Sequence, residues 1–154
     1  MRLTTLCYAE NNGRWLMMHR VKKAQDENAG KWIGIGGHLE EGETPEACIR
    51  REALEETGLS LTNLKLRGVI TFILPKWGDE LTCLYTASSE TDVVKDSEEG
   101  ILRWIPKDEV LNLPLWPGDR IFLPLLQNQE EVFSLKLIYD AEDRLVGHEL
   151  GSLE

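Results

Sequence analysis

Apolar residues recur through two early runs, 3–9 and 14–20, which are split by the polar trio Asn11-Asn12-Gly13. Apolar-rich runs joined by a short Asn-Gly connection predict a β-hairpin, because Asn and Gly tolerate positive φ. Residues 22–30 are polar and predict a loop. Residues 31–37 form a short Gly-rich run that predicts a turn at Gly36-Gly37. A helix is then predicted over Pro45–Thr57, with Thr44 as N-cap, Pro45 at the first helical position and Gly58 as the stop. Runs 64–74 and 80–88 predict a second strand pair around 75–79. The acidic stretch 89–100 predicts a loop and 101–105 a short strand. Short helical segments are expected at 106–111 and 119–126, the second interrupted by Pro124. Runs 132–139 and 145–150 predict a closing hairpin. Together these elements predict an α/β fold, a mixed sheet with one central helix packed on it, in a single domain spanning 1–154.

Composition narrows the picture. No apolar run approaches the roughly 18 residues of a membrane span. The first ten residues read as a strand rather than an export signal. Cys7, Cys48 and Cys83 are odd in number and widely spaced, so buried thiols in a reducing cytoplasm are expected in place of a disulfide framework or a structural zinc. The formal net charge is −10, which repels long nucleic acids. A small anionic partner remains compatible if cations offset that charge locally.

The chemistry concentrates in 37–59. On the predicted helix, Glu55 lies about 60° to one side of Glu52 and Glu56 about 40° to the other, so three carboxylates share one face. Ala47 and Leu54 fall roughly opposite, where a core-facing stripe is expected. Each like-charge pair at about 6 Å costs about 0.7 kcal/mol in water and about 3 kcal/mol near a protein surface. Solvent tolerates repulsion of that size, so the helix alone fits a solvated acidic face as well as a ligand face. Its flanks change the weighting. A Gly-Gly pair precedes it, the loop adds Glu43, and Arg51 is placed to pair with Glu43 and fix the loop on the helix. Carboxylates in such a setting suit hard divalent ions, Mg²⁺ or Mn²⁺, and phosphate chemistry.

This segment resembles the Nudix box, filled here by Gly37, Glu43, Arg51, Glu52, Glu55, Glu56, Gly58 and Leu59, with Ala53 small where a larger aliphatic is usual. The resemblance implies an α/β/α sandwich with the box helix on a mixed sheet, and cleavage of a nucleoside diphosphate linked to another group. It implies Glu52, Glu55 and Glu56 as metal ligands, joined by the backbone carbonyl of Gly36 or Gly37. Glu43 and Arg51 would hold loop to helix, and water activated by the ions would attack phosphorus. A further acid is expected from the 89–100 loop. Of Glu98 and Glu99, the resemblance to the purine-nucleotide-sanitising branch of the family, whose acid–Trp spacing aligns with Glu99–Trp104, implies Glu99, although an exposed acidic loop would look the same.

Beyond the box, 30–37, 115–119 and 122–126 resemble the branch that hydrolyses oxidised purine nucleoside triphosphates such as 8-oxo-dGTP. By that resemblance Trp116 stacks on a purine or packs under a loop, and Asp119 binds the base edge or caps a helix. His38 meets a phosphate or only solvent, and Lys23, next to Lys22, steers the triphosphate or is merely solvated. Two positions depart from the branch: Ile33 replaces a base-reading Asn, and Gly118 precedes Asp119 where two adjacent acids are usual. Three readings stay open: a triphosphate pyrophosphohydrolase, a hydrolase of another diphosphate such as a nucleotide sugar, dinucleoside polyphosphate or ADP-ribose, and a non-catalytic nucleotide sensor. The oligomeric state, monomer or homodimer, is equally open.

Overall fold

The computed structural model describes residues 1–22 and 26–151. Its strands are β1 (Arg2–Asn11), β2 (Arg14–His19), β3 (Trp32–Ile33), β4 (Thr62–Ile73), β5 (Glu80–Ser88), β6 (Ile101–Pro106), β7 (Phe133–Tyr139) and β8 (Leu145–Gly151). Helix α1 covers Pro45–Thr57, α2 covers Asp119–Asn128, and a 3-10 helix spans Lys107–Asn112. The strands form one mixed sheet in the order β3-β2-β1-β5-β4-β7-β8, with β6 paired to β2. β1 runs parallel to β5 and β4 to β7, and the remaining pairs are antiparallel. No helix among the described residues is long and apolar enough to cross a membrane.

Strand alternation sends side chains to opposite faces and so builds two cores. Tyr8, Trp15, Met17, Leu84, Leu135 and Leu137 pack with Phe122, Leu123 and Leu126 of α2. Cys7, Ala9, Leu16, Met18 and Tyr85 pack on the other face with Ile49 and Ala53 of α1. The result is the three-layer sandwich expected from sequence. The first hairpin turns at Asn12 and Gly13, whose φ values are 52° and 74°.

Helix α1 begins and ends where its caps require. Thr44 Oγ1 accepts from the Ala47 amide at 3.1 Å, and Gly58, at φ 80°, returns its N–H to the Leu54 carbonyl at 3.0 Å. Its buried stripe differs from the expected one. Ala47 and Leu54 are exposed, while Cys48, Ile49, Ala53, Glu56 and Thr57 are buried. The buried arc overlaps the acidic face, so Glu56 enters the interior and Glu55 remains outside. The core-facing stripe therefore runs through the acidic face instead of opposite it. Ala53, small for its position in the box, is 1 % exposed against the sheet.

Two further expectations are corrected. Gly36-Gly37 is not a turn. The segment after β3 runs extended along β1, bridging Ile35 to Cys7 and His38 to Thr4, where β1 and β2 splay apart. The glycines serve close approach: a Cβ on Gly36 would lie 2.0 Å from the Thr5 carbonyl oxygen, and one on Gly37 would lie 2.7 Å from the Glu52 carboxylate. Pro124 does not interrupt α2, which runs through it. Proline removes one backbone hydrogen bond, but burial of Phe122, Leu123 and Leu126 holds the helix on the sheet.

Candidate active site

A cavity of about 540 Å³ lies over the first residues of β1 and the extended segment that follows β3. One end is charged. Arg51 Nε and Nη2 donate to the two carboxylate oxygens of Glu43 at 2.8 and 3.0 Å, and Nη2 also reaches the His38 carbonyl at 3.2 Å. This fork ties the loop to α1, and Glu43 adds a bond from the Glu40 amide at 3.0 Å. With Arg51 beside it, Glu43 is held down at about 2. Arg51 Nη1 also donates to Glu52 at 2.7 Å and Glu55 at 3.4 Å.

Glu52 lies against the Gly37 backbone, and burial raises its pKa despite Arg51. Glu56 is 8 % exposed, and burial, with a hydrogen bond to Glu99, pushes it up to about 9. Glu99 also faces Arg20, whose Nη1 donates to it at 3.3 Å, and Arg20 Nε is held by Asp26 at 2.7 Å. Glu99 lines the cavity, whereas Glu98 is exposed. Gly100 brings that loop in, since a Cβ there would lie 2.3 Å from the His19 carbonyl oxygen. The Gly37 carbonyl accepts from the Thr5 amide at 2.9 Å and is turned into the sheet. By strand alternation the Gly36 carbonyl faces the opposite way.

Glu52, Glu56 and Glu99 therefore converge, while Glu55, with its side chain 60 % exposed, stands outside on Arg51. Among the described residues no three histidine, cysteine or acidic side chains are already gathered to hold an ion. The donor set nevertheless fits a hard divalent cation: mutually repelling carboxylates, one deeply buried, share a single wall, and oxygen ligands of this type suit such ions.

The opposite end is apolar. Ile33, Leu6, Phe72, Leu74 and Trp116 line it, with Asp119 among them. Trp116 donates from Nε1 to Asn28 Oδ1 at 2.7 Å, carries Lys31 Nζ 4.6 Å from its ring centroid, and meets Tyr139 edge-on. Asp119 is 5 % exposed, and burial pushes it up to about 8. It does not cap α2: Gly118 occupies the N-cap, and its N–H donates to the Tyr139 hydroxyl at 2.8 Å. A Cβ on Gly118 would lie 2.5 Å from Leu137 and 2.6 Å from that hydroxyl, so packing accounts for the missing acid. His38 lines the cavity, and Lys23 lies outside the described residues. Sequence reasoning missed Arg20, Asp26 and Asn28. Of these, only Arg20, a charge closing an apolar strand run, carried a signal.

Comparison with known proteins agrees with this geometry. The NUDIX domain model matches residues 2–126. The oxidized purine nucleoside triphosphate hydrolase of Mus musculus is 32 % identical over 86 % of this chain and 85 % of its own. An uncharacterized Nudix hydrolase of Bacillus subtilis is 30 % identical over 97 % of this chain and 94 % of its own. The crystal structure of a MutT protein from Bacillus halodurans superimposes with a TM-score of 0.85 over 97 % of both chains, at 26 % identity. The chain belongs to the Nudix family and is a hydrolase. Members of the family generally use divalent metal ions and act on small nucleotide substrates.

Proposed function

We propose that this chain is a Mg²⁺- or Mn²⁺-dependent pyrophosphohydrolase of purine nucleoside triphosphates, with oxidised forms such as 8-oxo-dGTP among its substrates. The observation that carries the reading is the cavity itself, with buried acids on a cation-compatible wall at one end and an aromatic, apolar lining at the other. Glu52, Glu55, Glu56 and Glu99, with the Gly36 carbonyl, would hold the ions. Bound there, a divalent ion neutralises phosphate charge and activates water. Water adds to a phosphorus of the triphosphate chain, a P–O bond to the neighbouring phosphate breaks, and monophosphate and pyrophosphate leave. Arg51 and Glu43 position the acidic helix. Trp116 supplies a face for the base, where stacking is worth about 1–3 kcal/mol. Asp119 and His38 line the route to base and phosphates, and Lys23 is proposed to attract the phosphates. The free thiols Cys7, Cys48 and Cys83 support a cytoplasmic setting.

Ile33 and Gly118 motivate a second reading, a diphosphate substrate other than a triphosphate. A site with fewer polar partners for a base edge discriminates less among bases. One panel decides between the two: nucleoside triphosphates, 8-oxo-dGTP, a nucleotide sugar, a dinucleoside polyphosphate and ADP-ribose, each with and without Mg²⁺, on wild type, Glu55→Gln and Glu56→Gln. Fastest metal-dependent turnover is expected with a purine triphosphate and is expected to fall in both variants. Faster turnover of another diphosphate selects the second reading, and turnover indifferent to both variants overturns both.

A further inference from the structure

Part of the cavity is used by neither end. Its floor is Thr4 and Thr82, neighbours across β1 and β5, and Glu80, Glu27 and His38 stand around it. The two hydroxyls are buried, 7 % and 3 % exposed by residue, and lie 2.8 Å apart. Thr82 Oγ1 in turn donates to Glu80 Oε2 at 3.5 Å. The other Glu80 oxygen, Oε1, has Arg2 Nη2 at 3.7 Å, beyond hydrogen-bond reach. Arg2 is committed elsewhere, to Glu27 at 2.8 Å and to the Gly78 carbonyl at 2.9 Å. Glu80 is thus a partly buried carboxylate with acceptor capacity left over and cavity in front of it.

We infer that this lobe receives the sugar hydroxyls of the nucleotide, so that the enzyme distinguishes ribose from sugars that lack them. Charge and polarity select the ligand. Two carboxylates against one guanidinium repel a phosphate, and buried hydroxyls beside a carboxylate are a poor bed for a base edge free of donors. Sugar hydroxyls donate to the open Glu80 oxygen and to Thr4 Oγ1, whose own proton goes to Thr82 as that of Thr82 goes to Glu80, which supplies the missing donors without adding charge. Burial also raises the Glu80 pKa from its ordinary value despite Arg2, as expected of an acid short of donors. The inference rests on the reading above, with phosphates at Glu56 and base at Trp116.

The test compares a purine ribonucleoside triphosphate with its 2′,3′-dideoxy counterpart as substrates, and the two corresponding monophosphates as ligands by calorimetry, on wild type, Thr82→Val and Glu80→Ala. Wild type is expected to favour the ribose form about tenfold to a hundredfold in kcat/KM and in monophosphate affinity. In each variant that preference is expected to shrink to about twofold, the ribose form falling toward the dideoxy form. Equal handling of the two sugars by wild type overturns the inference, as does a parallel fall of both in the variants. Calorimetry separates the claims: absent triphosphate turnover defeats the proposed function, while the monophosphate preference still decides the lobe.

Discussion

The charged end of the cavity comes mainly from 37–56, whereas the apolar end is assembled from Leu6, Ile33, Phe72 with Leu74, and Trp116 with Asp119. The first is organised by charge-assisted bonds from Arg51 and Arg20 and by the hydrogen-bonded carboxyl pair of Glu56 and Glu99. The second is organised by packing, with the Trp116–Asn28 bond as its directional contact. Charged networks fail steeply when one member changes, because each remaining charge loses a partner in a poorly hydrated place. Apolar walls accept changes of shape at modest cost. Substitutions are therefore expected to damage the reaction at the charged end and to alter substrate choice at the apolar end.

Mutations at the two ends should break in different ways. Glu56→Gln is expected to lower kcat about a hundredfold or more, the loss of several kcal/mol of charge stabilisation, with an unchanged far-UV circular dichroism spectrum. Arg51→Lys keeps the charge but gives up the fork on Glu43 and the His38 carbonyl. Its kcat is expected to fall about 10- to 100-fold, the cost typical of a lost orienting contact, measured under the same metal concentration. Trp116→Ala should act on the other parameter, raising KM for a purine triphosphate about tenfold while kcat moves little. A Trp116 variant that lowers kcat as far as Arg51→Lys does would erase the contrast between the ends.

The last effect concerns stability. Asp119 is raised from an ordinary 3.8 to about 8 in the folded chain. Below pH 4 both folded and unfolded forms keep the proton. Between about pH 4 and 8 only the unfolded form releases it, so stability falls with rising pH by up to about 1.4 kcal/mol per unit and levels off above 8. Asp119→Asn removes that slope. Urea unfolding of both proteins from pH 4 to 8 checks it, and parallel curves would show that Asp119 does not hold its proton.

The difference between the ends also explains what could be read from sequence. The caps and length of α1 and the Arg51–Glu43 fork follow from local spacing, since helix geometry fixes which residues meet within two turns. The first hairpin was legible because Asn12-Gly13 admits one tight connection. The burial of Glu56 was not, because it depends on Glu99, just before β6, and Arg20, just after β2, brought in through the close approach that Gly100 permits. The role of Gly36-Gly37 was misread for a related reason: a glycine needed for contact with a distant strand looks the same in sequence as one needed for a turn. Gly118 makes the point at the apolar end, where Leu137 and Tyr139, about twenty residues onward, decide what fits.

Product analysis tests the central claim most directly. A purine nucleoside triphosphate is incubated with wild type or Glu56→Gln, with Mg²⁺ or with chelator, and the phosphorus products are resolved by ³¹P NMR. Monophosphate and pyrophosphate are expected in equal amounts from wild type with Mg²⁺, and almost none with chelator or from Glu56→Gln. Release of diphosphate and orthophosphate, or equal product from Glu56→Gln, would contradict the claim.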